Sequence, residues 1–557
     1  MDMPPSDKQA SPAGNPMIPG GHIDLLTAFK PLKQPLFAML AIAALVSNIG
    51  TWLQDVAAVW LMTDLTRDVL LISLMQAAVS VPLLFIGIPA GALADLFSRR
   101  RILLVCQAIL TILAVIMGML AWSGLINAAG LLLLTLAMGA ATAVALPAWA
   151  ALIPDLVPRD ELPWAVALTS LGINLARAIG PAIGGVLVAH SGPAPAFFLN
   201  ALTFIIVMAV IWRYRETPNP RDTLSERLPG AIRAGMRYAR GEPALWNILL
   251  RTFGYFLFAG ASYALLPVVV KHRLHGSASD YGGMLGLVGM GALIAAVSLP
   301  FIRARLSRDQ LMQLACQLYA VSLLALAIVP AMGWLMPVMI LTGMGWIWVN
   351  AILQVAAQTV SPGWVHSRVL ALYLVTMGAG LASGSVIWGS IGRHSVEMAL
   401  LLAGVGMALQ GWFLRPFSLS LNDEVDLAPD PGAPGLPGPD HGPMESRPVM
   451  VSHDYFVTSA ERLSFLRQMH ALRNVRLRNG GMHWRLFEHV QGSGYFREFF
   501  MTDGEAEFFR MQTRLTVTDR QAIQAVWHYR HQGNTAQTGT HEGDYWIAQQ
   551  TNPDRKA

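Results

Sequence analysis

The sequence predicts an all-α membrane protein of twelve transmembrane helices in two six-helix halves, followed by a small C-terminal α+β domain. Three observations predict this class. The 557 residues are 54% hydrophobic and only 13% charged, where soluble domains carry about 25% charged residues. The charges are also segregated, with 31 in the 140 residues from Ser418 onward and 42 in the 417 before it. Finally, the first part holds twelve apolar runs, each near the roughly 20 residues that a helix needs to cross a bilayer core of about 30 Å. A disordered chain, a disulfide scaffold and a wholly soluble enzyme are excluded.

Taken in order, residues 1–35 are polar and Pro-rich, with no apolar h-region, so they read as an N-terminal tail rather than a cleavable signal peptide. The apolar runs are 36–62, 69–94, 101–123, 128–153, 162–188, 195–213, 246–270, 280–302, 310–330, 335–360, 368–391 and 396–416. All gaps are short except 214–245, so 36–213 and 246–416 read as two similar halves joined by a loop. Seven arginines from Arg213 to Arg240 mark that loop. With the N-terminus inside, the inside segments up to the last span carry 18 Lys and Arg and the outside loops four. That bias places both termini in the cytoplasm. The net charge of +5 is spread between apolar runs, which argues for the lipid bilayer and against nucleic acid as a partner.

Residues 417–447, rich in Pro, Gly and Asp, read as an extended linker. Within 448–535, Val449 to Val457 reads as a strand and Ser459 to Arg476 as a helix. Met482 to Val490 and Tyr495 to Met501 read as a hairpin, and Glu505 to Tyr529 as a helix. This order fits a ferredoxin-like α+β domain. Residues 536–557 read as a disordered tail.

Polar residues inside the spans need a reason, since an unsatisfied polar group in hydrocarbon costs several kcal/mol. Asn48, Trp52 and Asp55 share one face of the first span, and Trp346, Asn350, Gln354 and Gln358 one face of the tenth. Each stripe either packs against another helix or lines a water-filled cavity. Asp55 and Arg177 are close enough in depth to pair, with Asn174 or Gln54 supplying further hydrogen bonds. Such a pair is either a static lock or a carboxylate that couples transport to protons or gates the cycle. Arg251, at the start of the seventh span, is expected to snorkel to headgroups. Cys106 and Cys316 lie inside apolar runs, so no disulfide and no metal site are expected. No phosphate loop and no nucleophile elbow occur, so neither a cofactor nor enzymatic chemistry is expected. A tail-centred enzyme or sensor, using His453, His470, His483, Trp484 or His489, is the alternative.

The run Gly91-Ala-Leu-Ala-Asp95-Leu-Phe-Ser-Arg99-Arg100-Arg101 resembles the loop signature of the major facilitator superfamily, with Leu96 and Ser98 departing from it. That likeness implies a cytoplasmic latch formed by Gly91, Asp95, Arg99 and Arg100. Gly180-Pro181-Ala-Ile-Gly184-Gly185 resembles the signature of its exporter branches, with Ala176 where a further Gly is usual. The stretch Pro147 to Leu162, followed by Asn174-Leu-Ala-Arg177-Ala-Ile-Gly180-Pro181, is similar to the transmembrane secretion effector family, the branch with the enterobactin exporter. The resemblance spans all twelve runs. It implies alternating access and export of a small molecule, siderophore- or drug-like, by exchange with protons. An importer or facilitator would use the same twelve spans. The C-terminal region resembles a cytoplasmic tail that some family members carry, itself similar to dimeric antibiotic monooxygenases. Self-association through this domain is therefore left open.

Overall fold

The computed structural model describes residues 29–158, 160–214, 228–414, 416–417, 419, 426–432, 448–490, 494–529 and 544–547. Among them, twelve helices are long and apolar enough to cross a membrane. They are α1 (Pro35–Leu65), α2 (Val69–Leu96), α3 (Arg99–Trp122), α4 (Ala128–Leu156), α5 (Leu162–Ser191), α6 (Ala194–Arg213), then α8 (Pro243–Val268), α9 (Ala278–Arg303), α10 (Arg308–Ile328), α11 (Met332–Thr359), α12 (His366–Gly392) and α13 (Val396–Phe413). Between the halves lies one further helix, α7 (Leu228–Gly241). Local chemistry fixes several starts. Asp68 accepts from the Leu70 amide at 2.9 Å and so caps α2, while Asn127 accepts from Gly130 at 2.7 Å and caps α4. Ser277 and Ser307 form capping boxes with Asp280 and Gln310 at the starts of α9 and α10.

Each half is built around its own apolar core, one mainly across α8 to α13 and others mainly within α1 to α6, with Val56 of α1 joining the former and Val268 and Ala278 of the second half joining one of the latter. The halves meet along α5–α9 and α2–α12. Small residues make the first crossing tight: a Cβ on Gly282 would stand 2.3 Å from the Pro181 carbonyl oxygen. The end of the bundle carrying the α1–α2, α8–α9 and α12–α13 connections is tied across the halves by two ion pairs. Lys271 meets Asp64, and Arg393 meets Asp68.

The C-terminal domain is a two-layer α+β unit: β1 (Val449–Phe456), α14 (Arg462–Asn479), β2 (Met482–Glu488), β3 (Tyr495–Thr502), α15 (Glu505–Thr513), α16 (Val517–Trp527) and β4 (Asp544–Ile547). The sheet order is β2-β3-β1-β4 and every neighbouring pair is antiparallel, as a ferredoxin-like domain requires. Phe465, Met469 and Leu472 of α14 pack beneath Tyr455 and Phe496.

Four sequence expectations change. The 214–245 segment contains α7, whose Tyr238 and Ala239 are buried. The helix region expected over Glu505 to Tyr529 is two helices. The tail at 536–557 includes β4, which pairs with β1 from Ser452↔Asp544 to Val449↔Ile547. The described residues of the linker are packed rather than extended, with Asp430 paired to Arg520 at 2.8 Å and the Asp426 amide donating to Thr518.

Candidate functional site between the two halves

The polar stripe of α1 faces the junction of the halves, but Asp55 and Arg177 do not pair: among the described residues neither makes an ion pair within 4.0 Å. The spans bring them to related depths, yet their side chains leave α1 and α5 toward different neighbours. The Arg177 guanidinium lies over the Trp52 ring, 5.6 Å from its centroid. Five residues beyond Asp55 on α1, Trp60 stacks against Tyr281 of α9 with ring centroids 6.1 Å apart. The neighbours expected to support the pair are engaged elsewhere. Asn174 donates to the Ser170 carbonyl at 2.9 Å, and Gln54 accepts from Asn200 of α6 at 2.9 Å.

The stripe of α11 packs its aromatic end against rings of α8. Tyr263 stands 5.0 Å from Trp346 of α11, and Trp346 meets Phe256 edge-on at 5.1 Å. Asn350 donates to the Trp346 carbonyl at 2.9 Å and accepts from the Tyr373 hydroxyl at 3.2 Å. Gln354 is exposed, and Gln358 is half-buried. Asn48, Trp52, Trp346 and Asn350 are likewise half-buried. The result is amphipathic surface on α1 and α5 of one half and on α8 and α11 of the other, lined by flat rings with few fixed charges. Such a surface accommodates a partly aromatic solute with one or two polar groups. Tyr263 and Tyr281 were not singled out in the sequence; the available signal was a phenol inside an apolar run, which needs a polar partner when buried.

Above this surface, toward the ion-paired end, the Gly-Pro-x-x-Gly-Gly segment wedges α5 between α1 and α9. A Cβ on Gly180 would meet Trp52 Cβ at 2.6 Å and one on Gly184 would meet Leu53 Cα at 2.9 Å. The opposite side of the segment serves the other half: a Cβ on Gly185 would stand 2.5 Å from the Ala278 oxygen.

At the other end of the bundle, Arg99 pairs with Asp155 at 2.7 Å and donates to the Ala151 carbonyl. Arg100 donates to the Trp212 carbonyl at 2.6 Å and covers the Trp212 ring at 5.5 Å. These contacts tie α3 to α4 and α6 within one half. Asp155, the partner of Arg99, lies in the Pro147 to Leu162 stretch, where the sequence gives it no signal of its own. Gly91 and Asp95 lie on α2, but their side chains fall outside the described residues. Arg251 does not snorkel. It is only 6% exposed, pairs with Asp309 at 2.7 Å and donates to the Leu414 carbonyl at 3.0 Å. Among the described residues no three His, Cys, Asp or Glu side chains cluster to hold a metal.

The family model of the transmembrane secretion effectors matches residues 26–541, nearly the whole chain. The chain belongs to the transmembrane secretion effector family. Its relatives include the enterobactin exporter EntS of Shigella boydii serotype 18, 28% identical over 389 residues covering 68% of this chain and 91% of that one. A staphyloferrin A transporter of Staphylococcus aureus is 24% identical over 280 residues, 50% of this chain and 70% of that one. Among solved structures, a mutant of the nucleoside transporter NupG superposes with TM-score 0.56 at 13% identity, covering 69% of this chain and 99% of that one. A bacterial homologue of the human lysosomal transporter Spinster, inward-facing and occupied, gives 0.55 at 14%, covering 70% and 95%. The structural likeness establishes the major facilitator fold of the twelve spans. This secretion effector is therefore a multi-pass membrane transporter rather than an enzyme, and its α+β domain is an addition to the transport fold.

Proposed function

We propose that this protein exports a small, siderophore- or drug-like molecule across the bacterial inner membrane by alternating access driven by proton antiport. The observation that carries the reading is the amphipathic surface of Trp52, Arg177, Tyr263, Trp346 and Asn350 at the junction of two separately packed halves. The exporter names of the enterobactin relatives and the glycine-rich wedge of α5 support the outward direction. The Lys and Arg bias supports cytoplasmic termini, which puts the Asp64–Lys271 and Asp68–Arg393 pairs outside and makes this conformation closed to the exterior.

In this reading the halves rock about this surface. Asp55, half-buried and without a counter-ion among the described residues, exchanges the proton. Asp95, Arg99 and Arg100 form the cytoplasmic latch, with Gly91 at its helix crossing. The C-terminal domain supports self-association through the open face of its sheet, where Phe456, Phe487 and Tyr495 are exposed. Monodisperse full-length protein of single-chain mass in detergent and in nanodiscs would remove that last element.

The deciding experiment measures accumulation of dyes, drugs and catecholate siderophores in cells with and without the protein, and with and without an uncoupler. Lower accumulation that the uncoupler abolishes is expected. Asp55→Asn should abolish the uncoupler-sensitive part while leaving the protein in the membrane. Full retention of energised export by that variant would take the coupling role from Asp55.

A further inference from the structure

The failure of Asp55 and Arg177 to pair leaves a guanidinium unexplained. Arg177 Nε and Nη1 are fully buried and neither has a hydrogen-bond partner. Among the described residues, the cation's only close partner is the Trp52 ring at 5.6 Å. A ring face offers a cation about 0.5–2 kcal/mol, whereas the effective cost of desolvating an ion is several kcal/mol. The electrostatics of the site are therefore incomplete in this conformation. An Arg stays charged at any physiological pH, so it cannot be relieved by losing its proton. The side chain as a whole is half-buried, so what its two buried N–H groups lack is an acceptor, and an anion is the acceptor that a guanidinium binds most strongly.

The surroundings define which anion. A guanidinium presents its N–H groups as a planar fork that matches a carboxylate in two parallel hydrogen bonds. Beside it is the flat face of Trp52 on α1, and in the other half Tyr263 on α8 and Trp346 on α11 form a second aromatic surface, their rings 5.0 Å apart. No Lys or second Arg accompanies Arg177 in this set, so the site suits a single negative charge better than a phosphate or a polyanion.

We propose that Arg177 is the anchor for a carboxylate on an aromatic solute, with Trp52, Tyr263 and Trp346 supporting the ring system. The inference rests on the reading of the inter-half surface as the solute route. It divides the two ionisable residues: Arg177 holds the solute, and Asp55 is left for the proton. Because Arg177 and Trp52 lie in one half and Tyr263 and Trp346 in the other, a bound solute touches both halves and is sensitive to their rocking.

The test uses full-length protein in nanodiscs, titrated with 2-naphthoate and with its neutral isostere 2-naphthamide, read by calorimetry. 2-Naphthoate is expected to bind at least about tenfold more tightly than the amide, as a charge-assisted bidentate contact requires. Arg177→Gln should remove that difference by weakening 2-naphthoate alone, and Arg177→Lys should restore part of it. Equal binding of the two probes by the unaltered protein, or binding of neither, overturns the anchor without need of any variant. Efflux of 2-naphthoate from cells separates this proposal from the export reading. Discrimination in the nanodisc without efflux supports the anchor while export fails. Energised export of neutral and anionic compounds alike, with no discrimination in the nanodisc, overturns the anchor while export stands.

Discussion

Glu498 is a carboxylate with no exposed surface, and it survives there because its oxygens are satisfied. Tyr455 and Trp484 each donate to it at 2.8 Å, and Arg476 pairs with it at 3.5 Å. Burial pushes its carboxyl up, but Arg476, His453, Trp484 and Tyr455 outweigh that and hold it below the usual range. Glu498→Gln leaves Arg476 without its counter-ion, and the C-terminal domain should lose about 3 kcal/mol of stability. Thermal unfolding of the full chain, followed by a domain-specific fluorophore, would register it. Since the folded value is depressed, Glu498 stabilises the domain above its unfolded value, and the contribution is lost as pH falls through the folded one. Retention of the unaltered pH profile in Glu498→Gln would contradict this account. The Asp68–Arg393 pair follows the same sign. The bond from Arg393 holds the Asp68 carboxyl low, so the tie between the halves persists at neutral pH and weakens only in acid. At this scale the sequence showed which residues were anomalous but not their partners. Asp55, Arg177 and Arg251 were legible as polar groups in apolar runs. Which way each side chain leaves its helix depends on rotation about the helix axis, and that is set by packing between helices far apart in the chain.

Between elements, the glycines of α5 have two distinct jobs that adjacent positions separate. Gly184 faces α1 inside one half, while Gly185 faces α9 across the junction. Gly184→Val overpacks a core and should lower thermal stability by about 1–3 kcal/mol. Gly185→Val places new atoms where the Ala278 oxygen and Gly282 Cα already stand, at 2.5 and 2.9 Å from a Cβ. It should leave each half folded and instead disfavour the conformation in which the halves touch. The expected outcome is lost transport with a near-normal melting curve and faster labelling of a cysteine placed at Ser279. A melting curve depressed as far as that of Gly184→Val would show that both glycines serve folding alone. The exporter-type spacing made close approach legible, and all twelve spans were readable because hydrophobic length suffices to find them. α7 was not, because its stretch is Arg-rich and has no apolar run. Its burial comes from being covered on two sides, by Val360 of the α11–α12 connection, which accepts from the Tyr238 hydroxyl, and by the C-terminal domain.

That double cover sets how the whole molecule is joined. Arg237 of α7 pairs with Glu507 at 2.8 Å and with Asp503 at 3.2 Å. Arg478, at the end of α14, bridges Glu242, which caps α8, and Asp519, which caps α16. Arg514 lies over the Trp364 ring at 4.4 Å and pairs with Glu507 at 2.7 Å. Apart from the Arg478–Asp519 and Arg514–Glu507 pairs inside the domain, these contacts are to α7, the start of α8 or the α11–α12 connection, so the domain is fastened to the second half and the loop that leads into it. It therefore moves with that half when the halves rock. The partners are largely buried, with Arg237 and Glu507 side chains only 17% and 8% exposed, so breaking them costs more than breaking a surface pair. Truncating one partner of a buried interfacial charge pair costs about 2–5 kcal/mol, a shift of roughly 30-fold to a few thousand-fold toward the undocked domain. Arg237→Glu should thus raise amide exchange in α7 and α14 while leaving exchange in α1 to α6 unchanged. Hydrogen–deuterium exchange on the full chain in nanodiscs measures both at once. Protection of α7 equal to that in the unaltered protein would mean that Tyr238, Arg478 and Arg514 hold the domain without Arg237. A rise in exchange across both halves would mean that the docked domain supports the entire bundle rather than one half.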